Sequence, residues 1–358
     1  MSDKTAWEKA AEAEGTTESE RSLARLARKA FLSLWSYANV YTDEGRSNGK
    51  GDGKELVDLL VVFGNDVLLF SDKHCAFQSD IDIKVAWPRW YKRAIEKSVK
   101  QLAGAESFLR RFQGRVFVDK SCQTELPVKL PDPTSARYFL IAVTRGGHGA
   151  AAAYYGGGSS GSLMLNSTLE ERAHYDEPFA IGFPLKGRRF VHVLDEVTVD
   201  TLLEELDTVP DLVGYLKCKE RYFGANGVVM DIAGEEELLA HYMCTMEDGR
   251  HSLPKVPIGA NGIVLGGVTG RHTIQVPNEW PRVRRTRAAI CGTPSLSIKL
   301  HSFAREQQSA FPTYDQRPST MSEYSVLWRR SRDSEGAILR DIFAPHCRRT
   351  CQAINLHA

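Results

Sequence analysis

The stretch KELVDLLVVFGNDVLLFSDKHC, Lys54–Cys75, most constrains what this chain can fold into. Two apolar runs of β type, about 55–63 and 67–74, flank Gly64-Asn65-Asp66, a short glycine-containing turn that specifies a hairpin. Asp58, Asp72 and Lys73 stand inside those runs, where charge is costly and rarely placed without a reason.

Side chains alternate faces along a strand. Asp58 therefore shares a face with Leu56, Leu60 and Val62, and Lys73 shares one with Ser71 while Asp72 takes the other. A two-residue turn at Gly64-Asn65 sets Asp58 opposite Ser71 and diagonal to Lys73. A turn at Asn65-Asp66 sets Asp58 opposite Lys73, and a three-residue loop sets it opposite Asp72. Hydrolysis of a phosphodiester uses such a set. Hard carboxylate oxygens hold a divalent cation, Mg²⁺ or Mn²⁺, that polarises the phosphate and activates water, and a lysine orients that water or stabilises developing charge. Asp58 and Asp72 are the expected ligands and Lys73 the cation.

The flanking sequence supports an α/β sandwich with a mixed sheet. A helix begins at Thr17, with Glu20 as capping-box partner, and carries an apolar stripe from Leu23 to about Ser36. Glu20 reads as an N-cap acid favoured by the helix dipole ahead of a catalytic group. After the loop TDEGRSNGKGDG and the hairpin, SDIDIKVA reads as a third strand or a loop. A helix opening at Pro88 follows, with Glu96 and Lys100 as an outward pair and Lys97 and Gln101 on the edge of its apolar stripe. RVFVD (115–119) and ARYFLIAVT (136–144) read as strands.

Residues 145–163 are rich in Gly and Ser but lack the Lys-Ser/Thr ending of a phosphate-binding loop, and read as a surface loop. Then come a strand, RFVHVL, a helix capped by Thr198, a second introduced by Thr208, and a helical piece at 234–243. Asp195, Glu196, Asp200, Glu204, Glu205 and Asp207 suggest a metal cluster, but helix N-termini and solvated faces collect acids routinely, so the structural reading is preferred.

The net charge of +1 conceals an asymmetry: residues 271–358 hold 13 Arg and 1 Lys against 7 acids, leaving 32 basic and 38 acidic residues before them. That tail has no sustained period and is expected to be poorly ordered. Seven scattered cysteines without a C-x-x-C pair indicate neither a zinc ribbon nor a disulfide framework, and fit a reduced cytoplasm. No run approaches the roughly 18 apolar residues of a membrane span.

With Asp58, Ser71-Asp72-Lys73 and Gln101 in this order, the chain over about 17–145 resembles the restriction-endonuclease-like PD-(D/E)XK nuclease superfamily. The resemblance implies a sandwich built as helix, β-meander, helix, strand, acting on DNA with a divalent metal. In it Asp58, Lys73 and Gln101 match positions on the two hairpin strands and the following helix, and Glu20 matches an acid that some members carry on the first helix as a further metal ligand. It leaves a homodimer open. The sequence departs from the family at Ser71, where the family has an acid; here the acid is Asp72. Either a bulge re-aims Asp72, or Glu55 or Glu106 supplies the carboxylate, or the site is degraded. The expected divisions are a flexible N-terminus 1–16, a nuclease-like domain 17–165, a smaller α/β extension 166–270 and the tail. The competing readings are a catalytically inactive nuclease-fold binding or interaction protein, and a cross-strand Asp58–Lys73 ion pair on an open sheet face; burial of Asp58 separates the last from the others.

Overall fold

A computed structural model describes residues 5, 7–8, 15–31, 35–46, 50–155, 161–224, 228–256 and 262–265. Most of the N-terminus 1–16 and all of the tail 271–358 lie outside the described residues. The chain divides into two units, residues 1–150 with 169–220, and residues 151–168 with the described residues from 221 onward.

The first unit is built on a five-stranded mixed sheet flanked by helices. Helix α1, Glu18–Phe31, is opened by the expected capping box: Glu20 N–H donates to Thr17 Oγ1 at 3.2 Å and Thr17 N–H to Glu20 Oε2 at 3.2 Å. Leu23, Ala24, Ala27, Ala30 and Phe31 form its buried stripe. Instead of continuing to Ser36, the chain turns into a strand, β1, Ser36–Thr42. The hairpin follows as β2, Lys54–Phe63, and β3, Asp66–His74.

SDIDIKVA forms no strand. Asp82 accepts the N–H of Lys84 at 2.7 Å and caps helix α2, Ile83–Tyr91. Pro88 is thus inside a helix rather than at its start, leaving the Lys84 carbonyl without its intrahelical donor. A π turn, Lys92–Glu96, joins α2 to α3, Lys97–Arg111. RVFVD makes only isolated bridges, Phe117 to Tyr41 and to Glu125. Strand β4, Arg137–Arg145, comes next, and the segment read as a glycine-rich loop carries helix α4, His148–Tyr154.

The remaining elements are β5, Met164–Glu170, β6, Ala180–Phe183, β7, His192–Asp195, α5, Glu196–Glu205, and α6, Val209–Phe223. Asp195, not Thr198, is the N-cap of α5; Thr198 returns the capping-box bond. Thr208 opens α6 as expected, accepting from Asp211 N–H at 3.2 Å.

The sheet order is β1-β2-β3-β4-β7. Pairs β1/β2 and β2/β3 are antiparallel, and β3/β4 and β4/β7 parallel, so β2 alone runs against the rest. β7 returns to this sheet, so residues on both sides of 165 contribute strands to it. Adjacent residues of β3 fix the layers: Ser71 meets Gln101 of α3, whereas Asp72 meets Arg145, whose guanidinium feels Asp200 and Glu196 of α5. Helix α3 therefore covers one face and α5 the other. Helix α1 shares the α5 side, where Lys29 lies 3.8 Å from Glu204.

In the second unit β8, Val229–Ile232, is flanked by β5, antiparallel, and β11, Gly262–Leu265, parallel. Helix α7, Glu235–Cys244, and a two-residue pairing of β9, Met246–Glu247, with β10, Arg250–His251, complete its described elements.

Candidate active site

The β2–β3 ladder runs from Phe63 opposite Asp66 to Leu59 opposite Phe70, the register of a two-residue turn at Gly64-Asn65. Gly64, at φ 57, takes the left-handed backbone such a turn requires. One more pair would set Asp58 opposite Ser71, but the ladder stops there. Asp58 Oδ2 instead accepts the main-chain N–H of Asp72 at 2.5 Å, in place of a strand-to-strand bond.

Asp58 is only 3% exposed, so the reading of a cross-strand pair on an open sheet face does not hold. Burial pushes its carboxyl up to about 7; the Lys73 charge and the Asp72 amide pull it down, and Glu55 and Glu20 push it up. Lys73 is half-buried and lies beyond ion-pair distance of Asp58; among the described residues it has no ion-pair partner. Fully buried Ser71 donates from Oγ to Gln101 Oε1 at 3.2 Å, and Gln101 Nε2 donates to the Leu56 carbonyl at 3.4 Å. Gln101 thus ties α3 to both hairpin strands beside Asp58.

A second cluster, of Asn39, Glu20 and Glu55, adjoins the first; sequence reasoning named the two acids and missed Asn39. Asn39 is bracketed by the pairs Ala38–Leu59 and Val40–Val57 and so stands across from Asp58, in a left-handed backbone at φ 48. Its Nδ2 donates to Glu20 Oε2 at 3.0 Å and to Glu55 Oε1 at 2.7 Å. Glu20 Oε2 also accepts the N–H of Thr16 at 2.7 Å, so the N-cap role and a place beside Asp58 coincide in one carboxylate. Burial raises the Glu20 carboxyl, but these hydrogen bonds hold it below the ordinary value. The register of β1 on β2 shifts between Val40 and Tyr41, leaving Leu56 as an extra residue. In an unbroken strand Glu55 and Asp58, three apart, would point to opposite faces; the bulge removes that separation.

Asp72 is not part of this group. The β3–β4 pairing is continuous from Asp66 to His74, so no bulge re-aims it. Its carboxylate accepts Arg145 Nε at 3.0 Å, and Arg145 Nη2 lies 2.9 Å from Oδ2, close enough for an ion pair but off the hydrogen-bond direction. The Asp72 side chain is fully buried and that of Arg145 mostly so, at 13% exposed. Burial raises the Asp72 carboxyl from its ordinary value, against the pull of Arg145. Of the two replacement acids, Glu55 is beside Asp58, whereas Glu106 is held by Arg110 at 2.8 Å and by Arg189. Three of the acids of 195–207 serve structure: Asp195 caps α5, Glu204 meets Lys29, and Glu196 accepts the Gly146 N–H at 3.1 Å.

Among the described residues no three His, Cys, Asp or Glu side chains converge to hold a metal ion. Mg²⁺, however, keeps several waters and is held by one or two carboxylates together with substrate phosphates rather than by an all-protein cage. Asp58, buried among carboxylates that raise it, suits that mode. A cleft of about 740 Å³ on the other edge of α3, lined by Tyr91, Lys92, Glu96, Lys100, Arg172 and Lys186 among others, contains none of the residues around Asp58.

Protein-family models, curated proteins and solved structures give no match to this chain. Among the described residues no helix is long and apolar enough to cross a membrane.

Proposed function

We propose that the chain is a metal-dependent nuclease of the restriction-endonuclease-like PD-(D/E)XK kind, hydrolysing phosphodiester bonds in DNA. The observation that carries the reading is the Asp58 carboxyl, buried where β2 and β3 part, with Lys73 unpaired on the same face. The order helix, three-strand meander, helix, strand supports it, as does Gln101 reaching Ser71 from α3.

In this reading Asp58 and Glu55, with Glu20 behind them, hold Mg²⁺ or Mn²⁺. Bound there, the cation supplies Lewis acidity to the phosphate and lowers the pKa of a coordinated water. Lys73 stabilises charge that develops on the phosphate oxygens or leaving group. Gln101 and Ser71 fix the spacing of α3 and β3 around the reacting phosphate. Asn39 keeps Glu20 and Glu55 together, and Asp72 with Arg145 is scaffold.

Ser71 in the family's acid position, and the commitment of Asp72 to Arg145, favour a second reading: a nuclease fold that binds without cutting. Incubation of plasmid and single-stranded DNA with wild type and Asp58→Ala, in Mg²⁺ or Mn²⁺, decides. Cation-dependent cutting by wild type alone supports the first reading, and equal behaviour of the two proteins sinks it.

A further inference from the structure

The helical run from α2 through the π turn into α3, which delivers Gln101 to the site, also carries cations outside any ion pair. Arg89, Arg93 and Lys97 are exposed and precede Gln101 at four-residue steps. Among the described residues none of the three has a carboxylate within ion-pair distance, whereas Lys54, Arg115 and Lys120 on the same unit are each held by one. Four-residue steps drift about 40° each around an α-helix of 3.6 residues per turn. The π turn Lys92–Glu96, bonded i to i+5, is wider and takes back that drift, so the row stays on one edge. Arg93 Nε donates to the Arg89 carbonyl at 3.3 Å, which lays its guanidinium along the helix.

We propose that Arg89, Arg93 and Lys97 form a track for the phosphodiester backbone of a DNA strand, leading along α2 and α3 to Gln101 and the Asp58 site. The proposal rests on the phosphodiesterase reading of that site. From Arg89 to Gln101 the row spans about 18 Å, roughly five nucleotides of one strand. Cations on a line with no carboxylate among them complement a repeating anion. Because backbone contacts carry no base information, the track fixes the path of the strand and not the sequence cut.

The test is fluorescence anisotropy of the full chain with a labelled short DNA strand and with its duplex, in EDTA so that binding is separated from cutting. Removing cations that neutralise phosphates lowers both affinity and its salt dependence. The variant R89Q/R93Q/K97Q is expected to bind about tenfold or more weakly near physiological salt, with the log–log salt slope reduced by about 2 to 3. K97Q alone is expected to reduce the slope by about 0.7 to 0.9, which guards against a fold lost in the triple variant. The charge-matched R115Q/R188Q/K29Q, whose cations each pair with a part-exposed carboxylate, is expected to stay within about twofold of wild type. The basic tail is common to every variant and cancels. Wild-type affinity and slope in the track variant would overturn the proposal, as would an equal loss in the control or binding to anionic phosphatidylserine vesicles but not to DNA. Binding along the row without cutting in any divalent cation would keep the track and remove the nuclease reading.

Discussion

Asp58 and Asp72 are joined through backbone, not through a shared ligand: the Asp72 N–H donates to Asp58 Oδ2 at 2.5 Å while the Asp72 carboxylate points to the opposite face and meets Arg145. The two acids of the hairpin therefore have separate duties. Substitutions can tell them apart.

Asp58→Asn and Lys73→Ala are expected to abolish cation-dependent DNA cutting, whereas Asp72→Asn retains it at reduced protein stability. Gel assays of plasmid cutting, with thermal denaturation of each variant, check the contrast. Loss of cutting in Asp72→Asn at full stability would return Asp72 to the site.

Stability should fall with rising pH because of Asp58. Its folded pKa of about 7 lies above the unfolded value of about 3.9, so between those values the native state holds a proton that the unfolded chain has lost. The penalty is absent below about pH 4 and complete above about pH 7, on the order of a few kcal/mol. Asp58→Asn keeps an oxygen for the Asp72 amide and removes the penalty, so it should match wild type at acid pH and melt higher at pH 8. Denaturant titrations across that range give the comparison.

Arg145→Met leaves a buried carboxylate unpaired and should cost about 3–5 kcal/mol at neutral pH. The double variant D72L/R145M should recover most of that loss, because replacing both members of a buried pair by apolar groups is often near neutral. Urea melts of the single and double variants measure the coupling.

Asn39→Ala removes both donors from Glu20 and Glu55 and puts an unsuited side chain in a left-handed backbone. It should cost about 2 kcal/mol and weaken Mn²⁺ binding in calorimetry. Asn39→Gly relieves the backbone but not the carboxylates, so it should recover stability without recovering cation affinity. Equal cation affinity in wild type and both variants would separate the Asn39 cluster from the site.

The hairpin was legible because Gly64-Asn65-Asp66 parts two apolar runs, although its register was left open among three turns until the Phe63–Asp66 pair fixed it, and the parity that sets Asp72 apart from Ser71 and Lys73 follows from alternation alone. Among the acids of 195–207, Asp195 was legible as part of a helix cap and Glu204 as surface, whereas the burial of Glu205 was not. Strand β1 was not, because Leu34 and Trp35 extend the helical stripe of α1 and mask the change of period at SYANVYT. The start of α2 was hidden by the alternation of SDIDIKVA, and Pro88 invited a later start, although Asp82 was available as a cap. Asn39 and the bulge at Leu56 leave no local signal: both arise from how β1 lies on β2. The return of β7 to the first sheet is likewise a tertiary event that no boundary signal near 165 could reveal.

The pairing order of the sheet has a consequence for how the chain is made. Strands β1 to β3 pair with their neighbours in sequence, whereas Arg137 reaches Asp66 across 71 residues and Thr144 reaches Leu194 across 50. During synthesis the hairpin emerges with one edge of β3 bare until β4 arrives, and contacts of such sequence separation form slowly. An apolar strand left open in that interval is a template for pairing with another chain. Asp72 and Lys73 put two charges of opposite sign at the end of that edge, where charge disfavours pairing with a foreign strand.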